Sequence, residues 1–207
     1  MGKNMTLNQF QQAAGINAKL ATRWYPHITT AMQLFNIVTP AAQAMFIAQA
    51  GHESAGFTRV AESFNYTTTA LCNTFGKWIS EDQAAKLGRT QDNPAQQEAI
   101  ANLVYAKRGG NSAAEDGWKY RGRGLIQITM QNNYRDCGRG LNIDLVANPD
   151  LLLADVNAAH SAAWFWQAKG CNDMASSLEW ITKKINGGYN GLEDRRQRYH
   201  KACQVLV

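Results

Sequence analysis

From Thr39 to Glu53 the chain reads Thr-Pro-Ala-Ala-Gln-Ala-Met-Phe-Ile-Ala-Gln-Ala-Gly-His-Glu. Thr39 suits an N-cap and Pro40 the first helical turn, so a helix begins there. Residues 41–50 are apolar on nearly every side, interrupted by Gln43 and Gln49. A helix of that pattern has to be buried. It ends in Gly51, His52 and Glu53. A carboxylate at the mouth of an apolar helix is partly desolvated, which favours its protonated form and suits a general acid. The competing reading of Glu53 is a solvated charge at a frayed helix end.

The remaining segments place this helix in a mainly α chain. Leu7–Ala14 carries a capping box, Thr6 with Gln9, and stops at Gly15. Asn17 caps 18–24, Tyr25-Pro26 breaks that segment, and 27–37 forms a third helix. Glu62-Ser-Phe-Asn-Tyr-Thr-Thr-Thr loses helical periodicity and reads as loop or irregular strand. Ser80 caps Glu81–Leu87, and Asn93-Pro94 opens a helix over 95–108 with Gln96 at the capping-box position. Leu125 to Thr129 alternates as a short strand, with Gly122 and Gly124 allowing a close backbone approach. Helices follow at 155–169, 178–185 and Leu192–Leu206. The expected organisation is a single catalytic domain over 1–207, with a small helical lobe inserted at 77–116 as a candidate for gripping a polymer.

Charge narrows the partners. The 207 residues carry a net charge of +5, and the pI is about 9.1, which favours polyanions such as nucleic acid, anionic membranes or an acidic cell wall. Lys119, Arg121, Arg123, Arg135 and Arg139 form one basic group; Lys183, Lys184, Arg195, Arg196, Arg198 and Lys201 form another. No recognition-helix or RNA-platform signature accompanies them, so a nucleic-acid partner is not expected. Cys72, Cys137, Cys171 and Cys203 have no metal-ligand spacing and read as thiols, with two disulfides open to them only in an oxidising compartment. The glycine spacing at 122–124 is wrong for a phosphate loop. Neither metal nor cofactor is expected. Residues 1–15 lack the apolar core of a secretory signal, and no run reaches transmembrane length. Met1-Gly2 fits a myristoylation pattern formally, but Thr6 is better explained as a helix cap.

A second carboxylate, Glu62, lies nine positions beyond Glu53, a separation that reaches about 30 Å at most. Glycosidic hydrolysis needs one protonated acid and one carboxylate for water or sugar, and an acid in an apolar setting with a partner in a polar loop meets that need. The competing reading of Glu62 is a solvated loop charge. Trp118, Tyr120 and Tyr66 offer faces for stacking on sugars, whereas Trp164 and Trp166 belong to an apolar helix and read as core.

Gly51-His-Glu-Ser-Ala-Gly-Phe, Glu62 with Asn65-Tyr66, Tyr120-Arg-Gly-Arg-Gly-Leu-Ile-Gln-Ile-Thr, Ile185-Asn-Gly-Gly and Asp194-Arg195 together resemble glycoside hydrolase family 19. That family holds plant-type chitinases and related bacteriophage endolysins, on a lysozyme-like fold. The resemblance implies an α+β lysozyme-like architecture, helical with a small β-hairpin beside the cleft. It places the general acid on Glu53, after His52, which reads as a substrate contact or as a structural histidine. Thr129 matches the Ser or Thr that holds the attacking water, and the resemblance puts Gln127 before it, Asn186 of the Asn-Gly-Gly turn and the late arginine Arg195 among the substrate-binding residues. Chitinases carry their second Glu about twenty residues after the acid, where this chain has Cys72 to Phe75; Glu62 fits the phage-type pattern instead. Chain size, the 77–116 insertion and the missing signal look closer to the endolysins. The implied activity is hydrolysis of peptidoglycan glycan strands with inversion, by a monomer that makes no stable membrane insertion. It would collect in the host cytoplasm and reach the wall through a holin-like pore. Alternatives are a chitinase on GlcNAc polymers, a lytic transglycosylase and a non-catalytic wall-binding protein.

Overall fold

The apolar helix organises the first part of the structure. In the computed structural model, which describes residues 5–207, it runs Pro40–Glu53 (α3), capped by the Thr39 hydroxyl on the Ala42 N–H. Every residue from Ala44 to Gly51 is buried, as an all-round apolar helix requires. Around it lie α1 (Leu7–Ala14), α2 (Ala18–Leu34), α9 (Asp155–Ala168), α10 (Leu178–Asn186) and α11 (Leu192–Leu206). These belong to one unit made of 1–60, 123–127 and 150–207. The chief neighbour of α3 is α11; Phe46 meets Trp166 of α9 edge-on at 5.7 Å. Met1-Gly2, considered for lipidation, lies outside the described residues.

The second unit, 61–122 with 128–149, holds α4 (Thr68–Phe75), α5 (Glu81–Leu87), α6 (Gln97–Val104), α7 (Asp116–Lys119) and α8 (Gln131–Leu141). Its core is Phe64, Leu71, Ile79, Ala84, Ile100, Ala101 and Val104. Short helices cannot bury much surface singly, so this unit depends on close approach. At Gly117 an added Cβ would stand 2.3 Å from the Ala101 carbonyl oxygen and 2.6 Å from the Asn102 Cα.

The structure corrects several sequence expectations. Pro26 does not break α2, which continues through it. The ring removes one backbone bond, but Trp24, Ile28 and Ala31 form a single buried stripe across it, and that burial outweighs the loss. Leu125 to Thr129 is not a strand, and no sheet or hairpin exists among the described residues beyond isolated bridges such as Thr67 with Arg89. Gly124 (φ +79) and Gln127 (φ +57) turn the chain there, and Leu125, Ile126 and Ile128 are all buried. A two-residue period cannot hide consecutive side chains on one face. The close approach expected of Gly124 is present: a Cβ would lie 2.7 Å from Ser161 Oγ. Helices α4, α7 and α8 were not expected. The helix anticipated at 95–108 shrinks to α6: at its start Gln96 Nε2 donates to the Lys86 carbonyl instead of closing a capping box, and beyond Val104 the chain turns, with Lys107 at φ +53. All four cysteines are free, with Cys137 and Cys171 buried and their thiols pushed up to about 12 by burial.

Immediately after α3, Ala55, Gly56 and Phe57 take φ of +50, +72 and +63. Two of the three are not glycine, so this corner is strained. It is held from outside. Ser54 Oγ accepts from the Phe57 N–H at 2.9 Å. Trp24 Nε1 donates to the Phe57 carbonyl at 2.9 Å, and the Phe57 ring meets Phe10 edge-on at 5.7 Å.

Gly117→Ala is expected to cost about 1–3 kcal/mol, the usual penalty for overpacking, because backbone atoms and not flexible side-chain ends block the space. Urea unfolding of the variant against the parent reads this directly.

Candidate active site

Glu53 closes α3 and belongs to the first unit. One of its oxygens, Oε1, receives Arg195 Nη2 at 2.5 Å. The arginine side chain is fully buried and the glutamate keeps 19% exposure. Arg195 Nη1 donates to Gln49 Oε1, Nε donates to the Asn190 carbonyl at 3.2 Å, and Gln49 Nε2 reaches Thr182 Oγ1 at 3.3 Å. Gln49 and Glu53 are four residues apart, so they share one face of α3 and can grip one guanidinium. Glu53 is therefore one partner of an ion pair, not the lone carboxyl in an apolar mouth that its helix suggested.

Arg195 was expected to touch substrate. Its side chain is fully buried against Glu53, Gln49 and the Asn190 carbonyl instead. Gln49 went unrecognised, although a polar residue one turn before Glu53 on an otherwise apolar helix was the available signal.

His52 faces the first turn of α11: its Nδ1 lies 2.6 Å from Asp194 Oδ2, and Arg198 Nε donates to the same oxygen at 2.7 Å. Burial opposes the charge on Asp194, but the hydrogen bonds from His52 and Arg198 outweigh it, so its carboxyl sits below the usual range. At Gly191 (φ +71) a Cβ would come within 2.1 Å of the imidazole. These contacts fix the ring, which favours the structural reading of His52 over substrate contact. Gln127 is half-buried, with its Nε2 bonded to the Gly124 carbonyl at 2.9 Å. Asn186 stands exposed at the end of α10, outside the Gln49–Arg195–Glu53 chain.

Glu62 belongs to the second unit and has a different setting. Oε1 accepts from the Tyr105 hydroxyl at 2.9 Å and Oε2 from the Gly122 N–H at 3.0 Å. Burial raises its carboxyl above the ordinary glutamate range, and these two hydrogen bonds with the Arg121 charge only partly offset it. Burial, then the Glu62 charge, push the Tyr66 and Tyr105 phenols upward. Tyr66 packs edge-on against Phe75 at 5.3 Å and is half-buried. Tyr105 was not anticipated as a partner, because it sits at the end of a helix read only for its apolar face.

Tyr120 cannot stack on a sugar in this structure. It is 1% exposed, and its hydroxyl donates to the Val146 carbonyl at 3.1 Å. Trp118 is half-buried, with the Arg121 guanidinium 3.7 Å over its ring. Thr129 is half-buried, and its carbonyl accepts from Asn133 Nδ2 at 2.8 Å.

Comparison with known proteins agrees with the motif resemblance. The model of glycosyl hydrolase family 19, described as "Chitinase class I", matches residues 17–197. A glycosyl hydrolase family 19 domain-containing protein of Haemophilus influenzae is 39% identical over 180 residues, 84% of this chain and 85% of that protein. Endochitinase B of Nicotiana tabacum is 30% identical over 192 residues, 79% of this chain; the match spans 52% of the tobacco protein. Among solved structures, chitinase C from Streptomyces griseus has a TM-score of 0.64 at 19% identity, with 100% of this chain and 95% of that chain covered. A bacterial family 19 chitinase gives 0.64 at 20% identity, with 99% and 95% covered. These two show the fold, which is the lysozyme-like fold of the family.

Two outcomes follow from the carboxylates. Arg195→Ala leaves Glu53 without its counter-charge and opens a cavity, so a loss of about 3–5 kcal/mol is expected in chemical denaturation. For Glu62, the folded state keeps the proton to higher pH than the unfolded chain does. Stability therefore falls as pH rises from the ordinary glutamate range through the raised folded value, and unfolding curves across that interval should be flatter for Glu62→Gln.

Proposed function

Because the chain belongs to glycoside hydrolase family 19, we propose that it hydrolyses the glycan strands of bacterial peptidoglycan as an endolysin, with Glu53 as the general acid. The observation that carries the choice of Glu53 as the working carboxyl is the Gln49–Arg195–Glu53 chain, which holds it in place; its role as the acid follows the family motif. Burying a guanidinium is costly unless its partners are fixed, and here that cost is spent on immobilising a single carboxylate at a helix end. Arg195 occupies Oε1, so Oε2 is the oxygen left to carry a proton to the glycosidic oxygen.

Cleavage also needs water delivered to the anomeric carbon from the face opposite the leaving group. We assign that work to Thr129, Asn186 and Glu62, following the family motifs. A carboxylate whose proton affinity is raised toward the working pH is the better general base, and the burial of Glu62 supplies that shift. The product would carry inverted anomeric configuration.

Peptidoglycan is preferred over chitin on charge. The stem peptides on its strands bear carboxylates, and a chain of net charge +5 approaches them favourably, an advantage that salt weakens. An enzyme of this kind would gather in the host cytoplasm and depend on a membrane pore for access to the wall. Among the described residues, no helix is long and apolar enough to cross a membrane. A specific observation favours a second reading, chitin hydrolysis: the tobacco and potato relatives are named endochitinases.

Turnover on purified peptidoglycan and on soluble chitin oligomers, with product anomers followed by NMR, separates the readings. Faster release from peptidoglycan with inversion is expected; turnover confined to chitin would overturn the substrate assignment, and anhydro-sugar products would overturn hydrolysis. Glu53→Gln should lower the rate at least about a hundredfold, in the range of general-acid contributions; the amide oxygen can still accept from Arg195 but carries no charge, so the variant should be less stable, and circular dichroism below its lowered melting temperature checks that it is folded. A folded, fully active Glu53→Gln protein would remove Glu53 from the chemistry.

A further inference from the structure

Helix α10 buries Leu178, Ile181 and Thr182 and turns another side outward. Trp180, Lys183, Lys184 and Gly187 fall at i, i+3, i+4 and i+7, so they form one stripe. They line a surface hollow of about 420 Å³. Lys184 Nζ sits 5.0 Å over the Trp180 ring. Both lysines are exposed, and neither has an ion pair among the described residues. The acid on the same helix, Glu179, is taken by Arg196 at 2.9 Å. Gly187, in the left-handed region at φ +78, has nothing within 4 Å of where a Cβ would stand, so this end of the stripe is open. Exposed Asn186, the expected substrate contact, lies next to it in the chain.

We propose that this outward stripe of α10 is a subsite for a sugar of a peptidoglycan strand together with the carboxylates of its stem peptide, and that it selects an acidic glycan over a neutral one. This rests on the peptidoglycan reading above. An aromatic side chain gives the apolar C–H face of a pyranose a surface to rest on. Two unpaired ammonium groups beside it supply donors for a carboxylate, and a carboxylate is a stronger partner for Lys184 than the ring it now covers. A neutral glycan can use the tryptophan but leaves the lysines unanswered, which is the basis of the discrimination.

The test uses the full chain carrying Glu53→Gln, so that polymer is bound without turnover. Sedimentation measures its affinity for purified sacculi, for the same sacculi with their carboxylates amidated, and for colloidal chitin. Adding Lys183→Ala and Lys184→Ala should weaken binding to native sacculi about tenfold, the worth of one charge-assisted hydrogen bond. Amidated sacculi and chitin should be unaffected, and the tenfold gap should close as salt rises. Trp180→Ala should weaken binding to all three polymers. Thermal melting checks that the exposed substitutions leave the fold intact. Unchanged affinity of the double lysine variant for native sacculi, or an equal loss on amidated sacculi, overturns the subsite. If the parent enzyme fails to cleave peptidoglycan while the lysine-dependent affinity stands, the hydrolytic reading falls and the subsite survives.

Discussion

A single buried guanidinium carries much of the first unit. Arg195 has no access to water, so each of its donors has to be answered by protein, and Glu53, Gln49 and the Asn190 carbonyl provide the acceptors. That requirement fixes the register of α3 against α11. A slip of either helix by one residue would strand the charge in the interior, at a cost of several kcal/mol, a large part of the stability of a small domain. The ion pair thus makes one packing arrangement far better than its neighbours, and the carboxylate is placed by the same contacts.

Glu62 is solved differently. A tyrosine hydroxyl and a backbone N–H hold it, and the Arg121 charge adds a smaller attraction. Neutral donors hold a carboxylate in position without cancelling the cost of burying its charge, so its proton affinity stays high. One glutamate answered by a guanidinium in direct contact and another answered mainly by dipoles are chemically unlike. A reaction that asks two carboxyl groups for different service is served by such a difference.

How much of this could be read beforehand follows from the range of each interaction. Helices whose ends are local decisions were legible: Thr6 with Gln9, Thr39 with Pro40, and Ser80 with Gln83 set starts that the structure repeats to the residue. Helix α8 was hidden because its buried positions, Tyr134, Cys137 and Gly138, sit in an otherwise polar run with two glycines. Pro26 misled because local propensity argued for a break, while the stripe of Trp24, Ile28 and Ala31 decides the matter through tertiary burial. The alternation at 125–129 misled for the same reason. Within the site, the importance of Glu53 was legible from the helix it ends, but its partner lies 142 positions away and could be supplied only by motif order. The burial of Tyr120 depends on the Val146 carbonyl and on Tyr134, which no spacing reveals.

The corner at Ala55 to Phe57 shows where the placement of Glu53 is anchored. Its left-handed backbone is not favoured by its own residues, so it persists because Trp24 and Phe10 hold Phe57 in place. Both belong to α1 and α2, which contribute no residue to the proposed chemistry. The N-terminal helices are in effect a clamp on the end of α3. Variation in that apparently remote region is thereby coupled to where the acid points, and natural or engineered changes there would alter turnover before they unfold the protein.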